Sequence, residues 1–256
     1  MRQKTVAGNW KMNLDYQEGL ALFSEVINRV KAEVTGIQQV IICCPFIHLH
    51  ALVQLAQGFE KTAVGAQNIH QSESGAHTGE VSAKMVRSVG AAYVIVGHSE
   101  RRQEFGEGNV LLAEKIDIAL KNNLKPIFCM GETIKEREAG KHFDVISQQL
   151  TESVFHLNEA QIDKLILAYE PVWSIGTGIT ASTEQAQEMH FFIRNQIAAE
   201  YGQAAADRIS ILYGGSVNPE NAADIFAKPD IDGGLIGGAS LKSRDFVAIV
   251  NVFNRS

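Results

Sequence analysis

The sequence predicts an α/β fold, a single (β/α)8 barrel in which eight parallel strands are surrounded by helices. Three observations lead there. Short apolar runs alternate with longer amphipathic segments along the whole chain. Several of these runs, such as Val40-Ile41-Ile42-Cys43 and Leu165-Ile166-Leu167-Ala168, are apolar throughout, as parallel strands covered on both faces must be. The 256 residues also match the usual size of eight closed βα units. Closure removes the sheet edges that an open sheet must protect. An open doubly wound sheet is the alternative, but its usual G-x-G-x-x-G after the first strand is replaced here by Ala7-Gly8-Asn9-Trp10-Lys11. No linker rich in Pro, Ser or charge interrupts the pattern, so residues 1–256 are expected to form one domain.

Taken in order, the first strand spans residues 5–9, and a helix then opens at Asp15-Tyr16-Gln17-Glu18, which has the form of a capping box. Leu20, Phe23, Ile27, Val30 and Val34 follow at close to helical spacing, which marks a face turned to the core. The second and third strands are residues 38–44 and 62–66, and the fourth is 93–96. Asn109 stands as a cap residue before Leu111, Leu112, Ile116 and Leu120, in the helix that leads to the fifth strand, 125–130. The sixth strand is 165–169; Ser182-Thr183-Glu184-Gln185 then opens a helix that runs to Gly202. After the seventh strand, 210–213, Asn218-Pro219 places a cap residue before a proline at the first helical position, and the eighth strand is 233–236. Two connections, 67–80 and 170–182, are too long for simple turns and are expected to bind or cover something.

Composition narrows the function. Lys and Arg number 23 against 29 Asp and Glu, a net charge of −6, which excludes the dense basic surface that a nucleic acid or an anionic membrane requires. No apolar stretch approaches the roughly 18 residues needed to span a bilayer, and the first residues lack the core of a signal peptide. The three cysteines have neither zinc nor disulfide spacing and read as small core residues in a reducing, cytoplasmic compartment. His48-Leu49-His50 is a poor ligand pair, because residues two apart on a helix point in different directions. No metal or cofactor is expected.

In such a barrel the chemistry sits where strands end, and the capable residues fall there. The first strand ends in Asn9 with Lys11 two residues on, the fourth runs into Gly97-His98-Ser99-Glu100-Arg101-Arg102, and the sixth ends in Glu170. A carboxylate, an imidazole and an ammonium suit proton abstraction beside a carbonyl: one takes the proton, one polarises or protonates the oxygen, and one stabilises the developing charge. The seventh and eighth strands end in Gly214-Gly215-Ser216 and Gly237-Gly238-Ala239-Ser240. Glycines there let backbone N–H groups approach an anion, and these two loops are the recurrent phosphate site of such barrels. A Schiff-base aldolase using Lys11 and a silent phosphosugar-binding barrel are the competing readings.

Five segments together resemble the triosephosphate isomerase family across the whole chain: Ala7-Gly8-Asn9-Trp10-Lys11-Met12-Asn13, Gly97 to Arg102, Ala168-Tyr169-Glu170-Pro171-Val172-Trp173 with Gly176-Thr177-Gly178, Tyr213 to Val217, and Gly237 to Leu241. The resemblance implies a cofactor-independent isomerase of triose phosphates in glycolysis and gluconeogenesis. It implies Glu170 as the base, and His98 as a neutral electrophile whose pKa a helix N-terminus lowers. Lys11 and Asn9 would contact substrate, and the phosphate would lie on backbone N–H groups at Gly176, Ser216, Gly237 and Gly238. Glu100 corresponds to a supporting carboxylate near Lys11. Residues 171–181 correspond to a closing lid, with Tyr213 and Ser216 as its latch. The loop 67–80, with Thr78, corresponds to one inserted into the partner of a homodimer. The chain departs from the usual family pattern at Ser174, commonly Ala, at Ile179, commonly Lys, and at His77, more often an aromatic such as Phe.

Overall fold

In the computed structural model, which describes residues 2–174 and 181–255, eight strands close into a barrel in sequence order. They are β1 (Thr5–Asn9), β2 (Gln39–Cys44), β3 (Thr62–Ala66), β4 (Tyr93–Val96), β5 (Lys125–Met130), β6 (Ile166–Tyr169), β7 (Ser210–Tyr213) and β8 (Gly233–Ile236). All eight neighbouring pairs are parallel, including β1 with β8, where Thr5 lies opposite Gly233. Two strands begin one residue later than expected. At the first of these, the Gln38 amide instead bonds Val250 O and Asn254 Oδ1, tying the second strand's entry to the chain's end.

The helices form the outer layer: α1 (Tyr16–Glu33), α2 (Leu49–Leu55), α3 (Ala83–Ser88), α4 (Ser99–Glu104), α5 (Asn109–Lys121), α6 (Ile134–Glu138), α7 (His142–Ser153), α8 (Glu159–Ile162), α9 (Thr183–Tyr201), α10 (Gln203–Ala206), α11 (Ala222–Phe226) and α12 (Ser243–Val250). The predicted capping boxes form at Asp15 with Glu18 and at Ser182 with Gln185. Two other starts differ from expectation. Gly108, not Asn109, caps α5, because the Asn109 side chain is drawn into bonds with Arg102 and Glu152. Asn218 does not cap a helix at Pro219; its Oδ1 accepts from Glu220 N and Asn221 N in a local turn, and α11 starts only at Ala222.

Strand alternation splits the core in two. Residues pointing inward, including Ala7, Ile41, Ile95, Cys129, Ala168, Leu212 and Leu235, fill the barrel itself. Their neighbours Val6, Ile42, Val94, Phe128, Tyr169 and Tyr213 point outward and pack under the helices. The floor of the barrel is closed by charge. Asp232, fully buried just before β8, accepts from Arg2 Nε at 2.8 Å, Lys4 Nζ at 3.1 Å, Arg194 Nη2 at 2.8 Å and Ile211 N at 3.1 Å. Arg194 also donates to Ala206 O and Ile209 O, so helix, loop and strands are joined at that end. Among the described residues no helix is long and apolar enough to cross a membrane.

Candidate active site

The two-residue period that fills the barrel also aims its mouth. Ala168 points inward, so Glu170, two residues on, does too; the same step leads from Ala7 to Asn9, from Leu212 to Gly214 and from Leu235 to Gly237. These positions converge on one cavity of about 450 Å³ at the C-terminal ends of the strands, lined by Asn9, Lys11, His98, Glu170, Ser216, Gly237 and Gly238. The lysine, histidine and carboxylate expected from the first, fourth and sixth strands are thereby brought together with the two glycine-rich strand ends.

Glu170 is 2% exposed and held at both oxygens. Oε2 accepts from Ser99 N at 2.9 Å, and Oε1 lies 3.0 Å from His98 Nε2. His98 sits at the N-cap of α4, where its Nδ1 accepts from Glu100 N at 3.3 Å. A ring nitrogen that accepts a backbone N–H carries no proton, so the neutral tautomer presents Nε2–H to the cavity. The expectation that the helix N-terminus lowers the His98 pKa does not hold in this arrangement. Burial pulls it down, but the Glu170 charge and hydrogen bond, with Glu100 behind them, raise it on balance above its ordinary value. Cys129 lies fully buried in β5, and burial, reinforced by the Glu170 charge, lifts its thiol well above the usual range; it is a neutral core residue, as expected.

Lys11 is held in a left-handed backbone conformation, φ 54°, which costs a non-glycine residue on the order of 1 kcal/mol or more. Two side chains keep it there. Asn9 Oδ1 accepts from Lys11 N at 3.0 Å, and Gln67 Nε2 donates to Lys11 O at 2.9 Å and to Cys43 O at 3.1 Å. The ammonium is 2.6 Å from Glu100 Oε1, and the side chain runs past Gly237 toward the glycine-rich end. Glu100 itself lines a neighbouring cavity rather than this one.

The carboxylate's position also depends on two glycines. A Cβ at Gly131 would fall 1.8 Å from Glu170 O, and one at Gly214 would fall 2.8 Å from Glu170 Cγ, so any larger residue at either place displaces Glu170. Beneath it, buried Glu132 Oε1 accepts from Tyr169 OH at 3.0 Å, Trp173 Nε1 at 2.8 Å and Arg137 Nη1 at 3.1 Å, and fixes the chain that leaves Glu170. Sequence reasoning missed Gln67, Ser99 N–H and Glu132, none of which announces itself by a motif of its own.

Tyr213 is fully buried behind the cavity instead of lining it. Burial pushes its hydroxyl up to about 12, against an opposing pull from Ser174. The two hydroxyls nonetheless lack hydrogen-bond geometry, and neither has a hydrogen-bond partner among the described residues. Thr78 is exposed in the loop 67–80, and His77 packs its ring 4.2 Å from that of His70. Gly176 and Ile179 lie outside the described residues, as does most of the expected lid. No group of three His, Cys, Asp or Glu suited to a metal is found among the described residues.

A family model described as triosephosphate isomerase matches residues 4–253. A curated protein of that name from Cytophaga hutchinsonii is 56% identical over 253 residues, which cover 99% of this chain and 100% of the relative. One from Bacteroides fragilis is 55% identical over 254 residues, with the same coverage. One from Flavobacterium psychrophilum is 50% identical over 251 residues, covering 98% of this chain and 99% of the relative.

Proposed function

Because this chain belongs to the triosephosphate isomerase family, we infer that it interconverts dihydroxyacetone phosphate and D-glyceraldehyde 3-phosphate, without a cofactor, as a cytoplasmic step of glycolysis and gluconeogenesis. The observation that carries the chemistry is the meeting of Glu170, His98 and Lys11 in one cavity, with the glycine-rich ends of β7 and β8 as its other wall. Glu170 takes the proton from one carbon of the triose phosphate and returns it to the neighbouring carbon through an enediol(ate). His98 Nε2–H hydrogen-bonds the oxygens that change between carbonyl and hydroxyl. The Lys11 ammonium, with Asn9 beside it, balances the negative charge that develops. The phosphate lies on backbone N–H groups of Ser216, Gly237 and Gly238.

The raised His98 pKa belongs to the arrangement in which Glu170 leans on the ring. When the carboxylate turns to the substrate carbon, burial and the Glu100 N–H remain, and both favour the neutral imidazole. Glu170 is thereby base and gate for its partner. A coupled assay with D-glyceraldehyde 3-phosphate tests the reading; phosphate binding without isomerisation would replace it with a silent phosphosugar-binding barrel.

A homodimer is part of the same proposal, with residues 1–256 acting as one barrel domain in each subunit. A second cavity of about 530 Å³ opens beside the site, lined by Lys11, Gln67, Phe46 and Phe105 among others. Met12 is 96% and Phe105 63% exposed at its rim, an apolar patch that suits burial against a second copy. The loop 67–80 projects Thr78 on the strength of positive-φ Gly75 and Gly79 and fits such a cavity in a partner. Dilution should then lower specific activity; a fully active monomer in sedimentation would contradict it.

A further inference from the structure

The charges that line the main cavity are few. Among the described residues they are Lys11, Glu170, Lys242 and Asp245. Lys11 is engaged by Glu100 at 2.6 Å, and Glu170 by Ser99 N–H and His98. Lys242 is different. It lies between the turn 238–241, which carries the glycine-rich end of β8, and the start of α12, and its side chain is 76% exposed. Its ammonium is 3.9 Å from Asp245 Oδ2, the outer limit of an ion pair, on an exposed i,i+3 pairing that contributes little. Its backbone caps α12, but among the described residues no hydrogen bond holds its ammonium.

We propose that Lys242 is a further binding residue of this site, a rim cation that draws the substrate's phosphate dianion into the cavity and takes no part in the proton transfers. The inference rests on the isomerase reading and goes beyond it. The chain as a whole carries −6, so a phosphate ester, near −2 at neutral pH, approaches against the net field. Recruitment then depends on local positive charge at the mouth. Lys11 is less exposed and already paired, whereas Lys242 stands out at the rim, beside the backbone groups proposed to hold the phosphate. Through the water at a cavity rim, a lysine and a dianion attract enough to change occupancy about 4-fold. Asp245 works in the opposite sense: it offsets the lysine and repels the same dianion.

The test compares wild type with Lys242→Gln, Lys242→Arg and Asp245→Asn at about 10 mM salt, where charges act over about 30 Å, and at about 1 M, where they act over about 3 Å. At low salt Lys242→Gln should lower kcat/KM about 4-fold while keeping kcat, and Lys242→Arg should keep both. Asp245→Asn should raise kcat/KM about 2-fold, and at high salt the four proteins should converge. An unchanged kcat/KM in Lys242→Gln at low salt overturns the proposal, and so does a defect that persists at high salt or falls on kcat. If wild type itself fails to isomerise, the parent reading fails separately. Titration of wild type and Lys242→Gln with inorganic phosphate then still decides the rim lysine, by weaker low-salt binding in the variant or by equal binding.

Discussion

The two ends of the barrel treat a buried carboxylate in opposite ways. At the floor, Asp232 collects four donors from three side chains and one backbone amide, and nothing nearby is left to react. At the mouth, Glu170 has one backbone donor and one imidazole, and it faces an open cavity. Both are almost wholly buried. A carboxylate surrounded by fixed donors is locked as a structural anion, while one with few donors keeps the freedom to leave them and take a proton. Along its axis the barrel thus sets a locked carboxylate at one end and a loosely held one at the other.

The sharpest way to break the comparison is to shorten the upper carboxylate. Glu170→Asp retracts it by about one methylene, and misplacement on that scale costs about 10²-fold in kcat; the coupled assay reads it, with melting temperature little changed. At the other end, Asp232→Ala leaves Arg194 only Asp230 as a carboxylate partner and strips Ile211 N, Arg2 and Lys4 of their shared acceptor, and breaking such a buried pair costs about 3 kcal/mol. Urea unfolding should show that loss, while kcat per folded molecule stays close to wild type. An Asp232 variant of normal stability would end the division of labour.

Two buried histidines extend the contrast to pH. His190, on α9 against the rings of Tyr169 and Tyr213, is held down to about 4 by burial. Its unfolded form binds a proton near 6.5 and its folded form does not, so stability falls as pH drops from about 6.5 toward 4, by up to about 3 kcal/mol. His98 has the opposite sign. Its raised value adds stability that is present below 6.5 and lost as pH rises through the folded value. Urea titrations of wild type and His190→Gln between pH 7 and 4 separate the two, because the variant should lose less stability on acidification. The smallest effect concerns Ser174, whose buried hydroxyl lacks a partner among the described residues. Ser174→Ala removes that unmet group and should stabilise the fold by about 1 kcal/mol or less, readable as a raised melting temperature.

What was legible in the sequence follows from the range of the forces involved. The strands were readable because a fully apolar run needs no distant information, and Glu170, Asn9 and Gly237 were readable because the inward step of two carries past the strand end. The caps at Asn109 and Asn218 misled for one reason: a short polar side chain has several partners in reach, and the local turn or a distant arginine can win over the helix. Gln67, Glu132 and Asp232 were invisible because their partners lie far away in sequence, as with Asp232 and Arg2, 230 residues apart. The direction of the His98 shift was misjudged because it depends on where Glu170 rests, which a sequence does not state.

Whether the loosely held carboxylate at the mouth moves the substrate proton is tested most directly by isomerisation in deuterium oxide. Wild type should place solvent deuterium on the carbon that receives the proton, and Glu170→Gln, folded and still binding phosphate, should place almost none. Labelling by the variant at the wild-type rate would contradict the account.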